Sequence, residues 1–222
     1  MAQLGLKFEV IPSLVDEDQI QDPLPSRRVK KLALLKAKTV LEKIGQKKSF
    51  GGIGAFGAIG RKNDEIIIIG ADTLVYLPKL KVKSQSFDKT QDDPERSRTD
   101  QKLKAKEQKA KFIGKPHNLN DAGRILRMLS GKTHYLYSGF CVLKYASHLG
   151  GVMKEKVKIY AGFEKTKMTF RKLKATEIDN YVKTQNVLLF AGSYSIETNT
   201  PGVGFIKKIE GSRSNVVGLP ME

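Results

Sequence analysis

Residues 65–73 read Glu65-Ile66-Ile67-Ile68-Ile69-Gly70-Ala71-Asp72-Thr73. Four consecutive β-branched residues favour extended backbone, and an uninterrupted apolar run is the pattern of a strand buried on both faces. The pattern continues through Leu74-Val75-Tyr76-Leu77. A carboxylate after the isoleucines is then placed at the rim of a sheet, where open α/β folds gather their ligands. Burying an ionised carboxylate is costly unless it is paired or holds a metal. Asp72 therefore either caps the turn that follows or belongs to a site.

Around this strand the chain follows an α/β plan with no repeat of fixed period. Residues 4–12 alternate and end at Pro12, which predicts a strand. An acidic, proline-punctuated loop follows over 13–28. Pro25-Ser26 can open a helix, and Val29, Leu32, Ala33, Ala37, Val40, Leu41 and Ile44 fall at helical spacing. Glycine crowds residues 45–63, which predicts a flexible linker or an enlarged hairpin. Residues 79–111 hold 11 Lys/Arg and 6 Asp/Glu and almost no large apolar residue. They predict a mobile insertion with one exposed helix over 100–111. Gly114-Lys115-Pro116 ends it. A helix then runs from an Asn120 cap to a stop at Gly131. Residues 133–145 and 154–171 predict a pair of strands, and 175–184 a helix. The tail alternates glycine with apolar residues. The organisation predicted is one domain over 1–222, interrupted by insertions at 45–63 and 79–111.

A chain of 222 residues with 40% hydrophobic residues can bury a sizeable core. No apolar run approaches the length of a transmembrane helix, and the first residues do not form a basic start followed by an apolar stretch. The lone cysteine, Cys141, sits in an apolar strand pattern and predicts a small core residue in a reducing cytoplasm. The formal charge of +17 raises nucleic acid as a partner. The lysines are scattered, however, and no helix-turn-helix, zinc-finger or aromatic RNA-binding signature accompanies them, so solvated faces are the favoured reading.

Several chemistries lack their residues. His117, His134 and His148 stand at no metal-ligand spacing. There is no Gly-x-Ser-x-Gly elbow, and the glycine run at 51–60 lacks the lysine of a phosphate loop. What stands out is a set of charges beside predicted strand ends and helix starts: Asp16, Glu17 and Asp18 in the acidic loop, Lys36 on the first helix, Asp72, and Lys115. Carboxylates bind a hard divalent cation and lysines bind phosphate. Together they suit phosphoanhydride hydrolysis. Taken singly, Lys36 and Lys115 are more often solvated side chains, and Glu17 is more often a loop charge.

The order of motifs resembles the Maf family of nucleotide pyrophosphatases. The matching pieces are Leu4 to Pro12 with Val15-Asp16-Glu17, Leu32-Ala33-Leu34-Leu35-Lys36-Ala37, Ile69-Gly70-Ala71-Asp72-Thr73, Gly114-Lys115-Pro116, Leu129 to His134, Tyr137-Ser138-Gly139, Glu177 to Val182, Ala191-Gly192-Ser193-Tyr194 and Asn215 to Pro220. They span nearly the whole chain.

The resemblance implies a curved mixed sheet flanked by helices, with a substrate cleft. It implies hydrolysis of a nucleoside triphosphate to the monophosphate and pyrophosphate, a nucleotide house-cleaning activity, with Mg²⁺ or Mn²⁺ assisting. By position, Asp72 is similar to the family's catalytic base and metal carboxylate, and Glu17 to an acidic residue serving metal or substrate. Lys36 and Lys115 match the phosphate-binding lysines. A homodimer in the cytoplasm is implied as well. Family members carry a strand and a Ser-x-Ser-Pro-Arg-Arg loop ahead of the Leu-Gly-Leu segment. Met1 falls after that point, Ser26-Arg27-Arg28 is no substitute, and the expectation is a true start further upstream. The branch acting on dTTP and UTP pairs Ala-Asp-Thr with a later Gln, whereas the 7-methylguanosine triphosphate branch ends its motif in Glu. This chain has Ala71-Asp72-Thr73 together with Ser193-Tyr194-Ser195-Ile196-Glu197. Thr73 and Ile196 favour dTTP or UTP, while Glu197, which only accepts hydrogen bonds, favours the other. A second reading is a basic nucleic-acid-binding protein that has kept the fold and lost the chemistry.

Overall fold

The computed structural model describes residues 7–49, 65–79, 110–146, 156–196 and 204–220. Its elements are helix α1 (Pro25–Ser49), strands β1 (Glu65–Leu77) and β2 (Lys111–Ile113), helix α2 (Leu119–Leu129), strands β3 (Thr133–Ala146) and β4 (Lys156–Phe170), helix α3 (Ala175–Thr184), strand β5 (Ile206–Glu210) and the short helix α4 (Arg213–Val217). The five strands form an open antiparallel sheet in the order β2-β1-β3-β4-β5. The α/β expectation therefore holds.

The chain divides into two compact units. Of the described residues, 7–49, 65–74, 136–146, 156–166 and 210–220 fall in the first, and 75–79, 110–135, 167–196 and 204–209 in the second.

In the first unit α1 lies on one face of the sheet. Two glycines on neighbouring strands permit this. A Cβ on Gly70 would stand 2.3 Å from the Ala33 carbonyl oxygen, and one on Gly139 would stand 2.3 Å from the Val29 carbonyl. Real Cβ atoms do not approach so closely, so only glycine lets the helix backbone settle against β1 and β3. Ala33, Ala37 and Ile44 of α1 then pack with Ile68, Cys141 and Leu143. Cys141 is the buried core residue its neighbours predict.

The isoleucine run departs from expectation. Ile68, Gly70 and Asp72 are buried on the α1 side, whereas Ile67 is 61% and Ile69 39% exposed. The strand is antiparallel, and over the isoleucines it is covered on one face rather than two; it continues five residues past Asp72, where Leu74, Val75 and Leu77 are buried. Asp72 is thus mid-strand. Residues 7–12, predicted as strand, have no ladder. Lys43 Nζ donates to the Pro12 carbonyl at 2.6 Å instead and ties the segment to α1.

In the second unit β2 pairs with the end of β1, Val75 opposite Ile113. Only Lys111 of this three-residue strand falls within the expected insertion at 79–111. The cap of helix α2 falls two residues earlier than predicted. Asn118, not Asn120, is its cap, because Asn118 Oδ1 accepts from Asp121 N at 2.9 Å while Asp121 Oδ2 accepts from His117 N at 3.1 Å. The core is aromatic. His134 meets Phe170 edge-on at 4.8 Å, Phe170 meets Tyr194 at 4.8 Å, and Tyr181 meets Phe205 at 4.8 Å. The predicted linker and insertion otherwise lie mostly outside the described residues, apart from 45–49, which extend α1. No described helix is long and apolar enough to cross a membrane.

Candidate active site

Three of the residues singled out from sequence meet in the first unit. Asp16 caps a single 3-10 turn at Glu17–Gln19 by accepting from Asp18 N. That turn presents Glu17. Lys36 lies on α1, one residue from Ala37, whose backbone and side chain sit against Gly70. The glycine contact sets the height of Lys36 above β1. Two residues beyond Gly70 on the same strand face stands Asp72. Lys36 Nζ donates to Asp72 Oδ1 at 2.6 Å and to Glu17 Oε1 at 2.7 Å. One ammonium is thus shared by two carboxylates drawn from separate elements.

The environment is graded. The Asp72 side chain is 6% exposed, Lys36 21% and Glu17 54%. Burial raises the Asp72 pKa above the ordinary carboxylate value. Lys36 pulls it down in part, the negative Glu17 adds to the rise, and Arg28 opposes it. At Lys36 burial works against the charge, but Asp72 and Glu17 outweigh it and lift the pKa. Lys36 is accordingly a fixed cation, and Asp72 a carboxylate made more basic than usual and held ionised by its partner.

Behind Asp72, on the opposite face of β1, Thr73 enters a buried polar chain. Ser138 Oγ donates to the Asn215 carbonyl at 3.0 Å. The Thr73 and Ser138 hydroxyls meet at 2.7 Å, and Thr73 Oγ1 also lies 3.5 Å from the Gly218 carbonyl. Asn215 Nδ2 donates to Thr166 Oγ1 at 2.8 Å, and Thr166 donates to the Ser212 carbonyl at 2.8 Å. Helix α4 is bound to the strands through this chain, with Gly218 closing it in the left-handed region at φ 115°.

Lys115 belongs to the second unit. It is exposed on the loop between β2 and α2, where the Gly114 carbonyl accepts from Gly192 N at 3.0 Å. Glu197 lies outside the described residues. Sequence reasoning missed Arg28, dismissed along with Ser26 and Arg27, although its charge acts on Asp72. It also missed Ser138 and Asn215. Their signal was a polar residue inside the apolar runs Tyr137-Ser138-Gly139 and Asn215-Val216-Val217.

A family model described as Maf-like protein matches residues 1–222. The chain belongs to the Maf family. Its curated relatives include a dTTP/UTP pyrophosphatase of Thermoanaerobacter sp. (strain X514), 30% identical over 223 residues, which covers 100% of this chain and 84% of the relative. Another, of Bacillus cereus (strain G9842), carries the same name and is 30% identical over 217 residues, 98% of this chain and 81% of the relative. The Glu17–Lys36–Asp72 constellation is therefore a feature of a Maf-family chain, not an isolated ion pair on an unrelated fold.

Proposed function

We propose that this Maf-family chain hydrolyses nucleoside triphosphates, dTTP and UTP in preference, to the monophosphate and pyrophosphate. The observation that carries the reading is the Lys36 ammonium shared by the buried Asp72 and the exposed Glu17. Phosphoanhydride cleavage asks a protein mainly for positioned charge and an oriented water. Asp72, made more basic by burial, serves as the base. It accepts a proton from water as the water oxygen bonds to the α-phosphorus. The bond from that phosphorus to the α,β-bridging oxygen breaks, and pyrophosphate leaves with the electron pair. Lys36 holds positive charge beside the reacting phosphates and keeps Asp72 ionised between turnovers.

Asp72 and Glu17 are also hard oxygen donors, the kind that Mg²⁺ or Mn²⁺ takes together with water and phosphate oxygens. Among the described residues no group of three His, Cys, Asp or Glu could hold an ion by itself. Two carboxylates fit an ion that arrives with the triphosphate, and Asp72 and Glu17 would hold it. When bound, such an ion neutralises phosphate charge. Lys115 enters as a phosphate ligand through the family resemblance, and a raised KM in Lys115→Ala would support that role. The homodimer and the cytoplasmic setting enter in the same way; light scattering tests the first. The dTTP/UTP preference is supported by the names of the relatives and by Ala71-Asp72-Thr73. A preference for 7-methylguanosine triphosphate is the alternative that Glu197 favours.

The test is pyrophosphate release from a panel of triphosphates with Mg²⁺ or Mn²⁺. Asp72→Asn should lower turnover by about 10²–10⁴-fold, the usual contribution of a positioned base. An Asp72→Asn protein with full activity would refute the assignment.

A further inference from the structure

The second unit carries a basin that shares no residue with the Glu17–Lys36–Asp72 cluster. It has a volume of about 760 Å³, and its walls include Arg127, Ser130, Thr169, Arg171, Lys172 and Lys207. Four cations thus border one concavity of a size that holds small ligands. The charge around it is lopsided. The described residues of this unit hold 13 Lys/Arg against 3 Asp/Glu.

The cations differ in what they can still do. Arg171 is spent on structure: it donates Nε to the Gly204 carbonyl at 2.7 Å and holds Glu177 through both terminal nitrogens, at 2.6 and 3.1 Å. Arg127 gives one terminal nitrogen to Asp179. Lys172 and Lys207 are exposed, and no described carboxylate takes their ammonium groups. Nearby, Lys132 has a lowered pKa, through partial burial first and the Lys111 charge second. Positive charge is therefore crowded here beyond what the local carboxylates neutralise. Such a basin is completed by an anion with several charges close together.

We propose that this basin binds a small polyphosphate, such as pyrophosphate, tripolyphosphate or the phosphate tail of a nucleotide, without regard to the base. Two observations favour a small ligand over a nucleic-acid strand. The aromatic rings of this region, Phe170, Tyr181 and Phe205, are at most 3% exposed, so no platform offers itself for stacking bases. Glu177 and Asp179 accept from the basin's own arginines and would repel an extended phosphate backbone. Lys172 and Lys207 supply charge to the ligand, Arg127 its remaining donors, and the Ser130 and Thr169 hydroxyls line the wall.

The test is calorimetric titration of the full chain with tripolyphosphate in metal-free buffer. Both proteins compared carry Lys36→Ala, to weaken binding at the other cluster. Adding Lys172→Glu and Lys207→Glu should reduce affinity at least about tenfold, and raising salt should weaken the parent protein's binding. Both lysines are exposed, so the variant is expected to fold; Lys172→Gln with Lys207→Gln is the milder control and should give a smaller loss. CTP and GTP should bind alike. Unchanged affinity in the Glu variant overturns the proposal. So does a single-stranded oligonucleotide that binds more tightly than tripolyphosphate at physiological salt. Because the readout is binding, an inactive enzyme would leave this inference standing, and a failed titration would leave the proposed hydrolysis standing.

Discussion

The two units solve the problem of buried polarity in opposite ways. The first buries charge and keeps it. Its described residues hold 15 Lys/Arg and 10 Asp/Glu, and Asp72 lies under α1 with Lys36 upon it. The second buries polarity and neutralises it. His134 is fully buried beside the Phe170 and Tyr194 rings, and its Nε2 lies 2.7 Å from the Tyr194 hydroxyl. Burial pushes its pKa down to about 3, so the ring is neutral in the fold. A buried ion pair can still do chemistry on an incoming phosphate, whereas a buried neutral ring serves packing. That difference places the candidate chemistry in the first unit and leaves the second unit's cations on its surface.

The largest effect expected to probe this contrast is at acid pH. Between pH 6.5 and about 3 the unfolded chain binds a proton at His134 that the folded chain excludes. Stability should therefore fall as pH drops through that window, by roughly 1.4 kcal/mol per unit from this group alone. Replacing His134 and Tyr194 together by Phe should flatten the pH dependence of the urea midpoint. An unchanged slope would mean that the ring is charged or exposed.

Next in size is Lys36→Ala, which strands Asp72 without its cation. Breaking a buried pair costs up to about 3 kcal/mol, less here to the extent that Asp72 takes up a proton. The activity profile should move to higher pH, since the carboxyl loses the group that keeps it ionised. A Lys36→Met, Asp72→Leu double variant should regain stability while losing turnover. Gly139→Ala follows. Its methyl would meet the Val29 backbone at 2.3 Å, and overpacking of this kind costs about 1–3 kcal/mol. The loss should appear in thermal melting together with reduced activity, because α1 carries Lys36. Smallest is Arg124→Ala. It removes an exposed pair to Asp121 at 2.6 Å on α2, and the midpoint should shift by no more than about 0.5 kcal/mol.

Much of this was legible along the chain. The period of α1 marked Val29, Ala33 and Ala37 as core, and their burial is complete. Asp72, Glu17 and Lys36 stood out because carboxylates and lysines beside element ends suit phosphate chemistry. What misled was the isoleucine run. Continuous apolar character does not say how many faces are covered; the exposed Ile67 and Ile69 show that only one is over the isoleucines, while the same face closes further on at Val75 and Leu77. Residues 7–12 alternate as a strand should, yet alternation cannot supply a neighbour to pair with. At α2 two asparagines competed for the cap, and the one three residues before Asp121 prevailed: its side chain accepts from Asp121 N, while the Asp121 carboxylate reaches back to the His117 N–H.

Local pattern determined most of the helices and the long strands, and which ionisable residues had no ordinary reason for their positions. These follow from side-chain period, capping chemistry and the cost of burying charge, all of which act over a few residues. Only the folded chain decided that Glu17, Lys36 and Asp72 share one ammonium, that the Thr73 hydroxyl meets that of Ser138, and that Arg28 acts on Asp72. Those pairings join residues as many as 65 positions apart. They depend on how closely α1 approaches the sheet, and Gly70 and Gly139 set that approach by having no side chain.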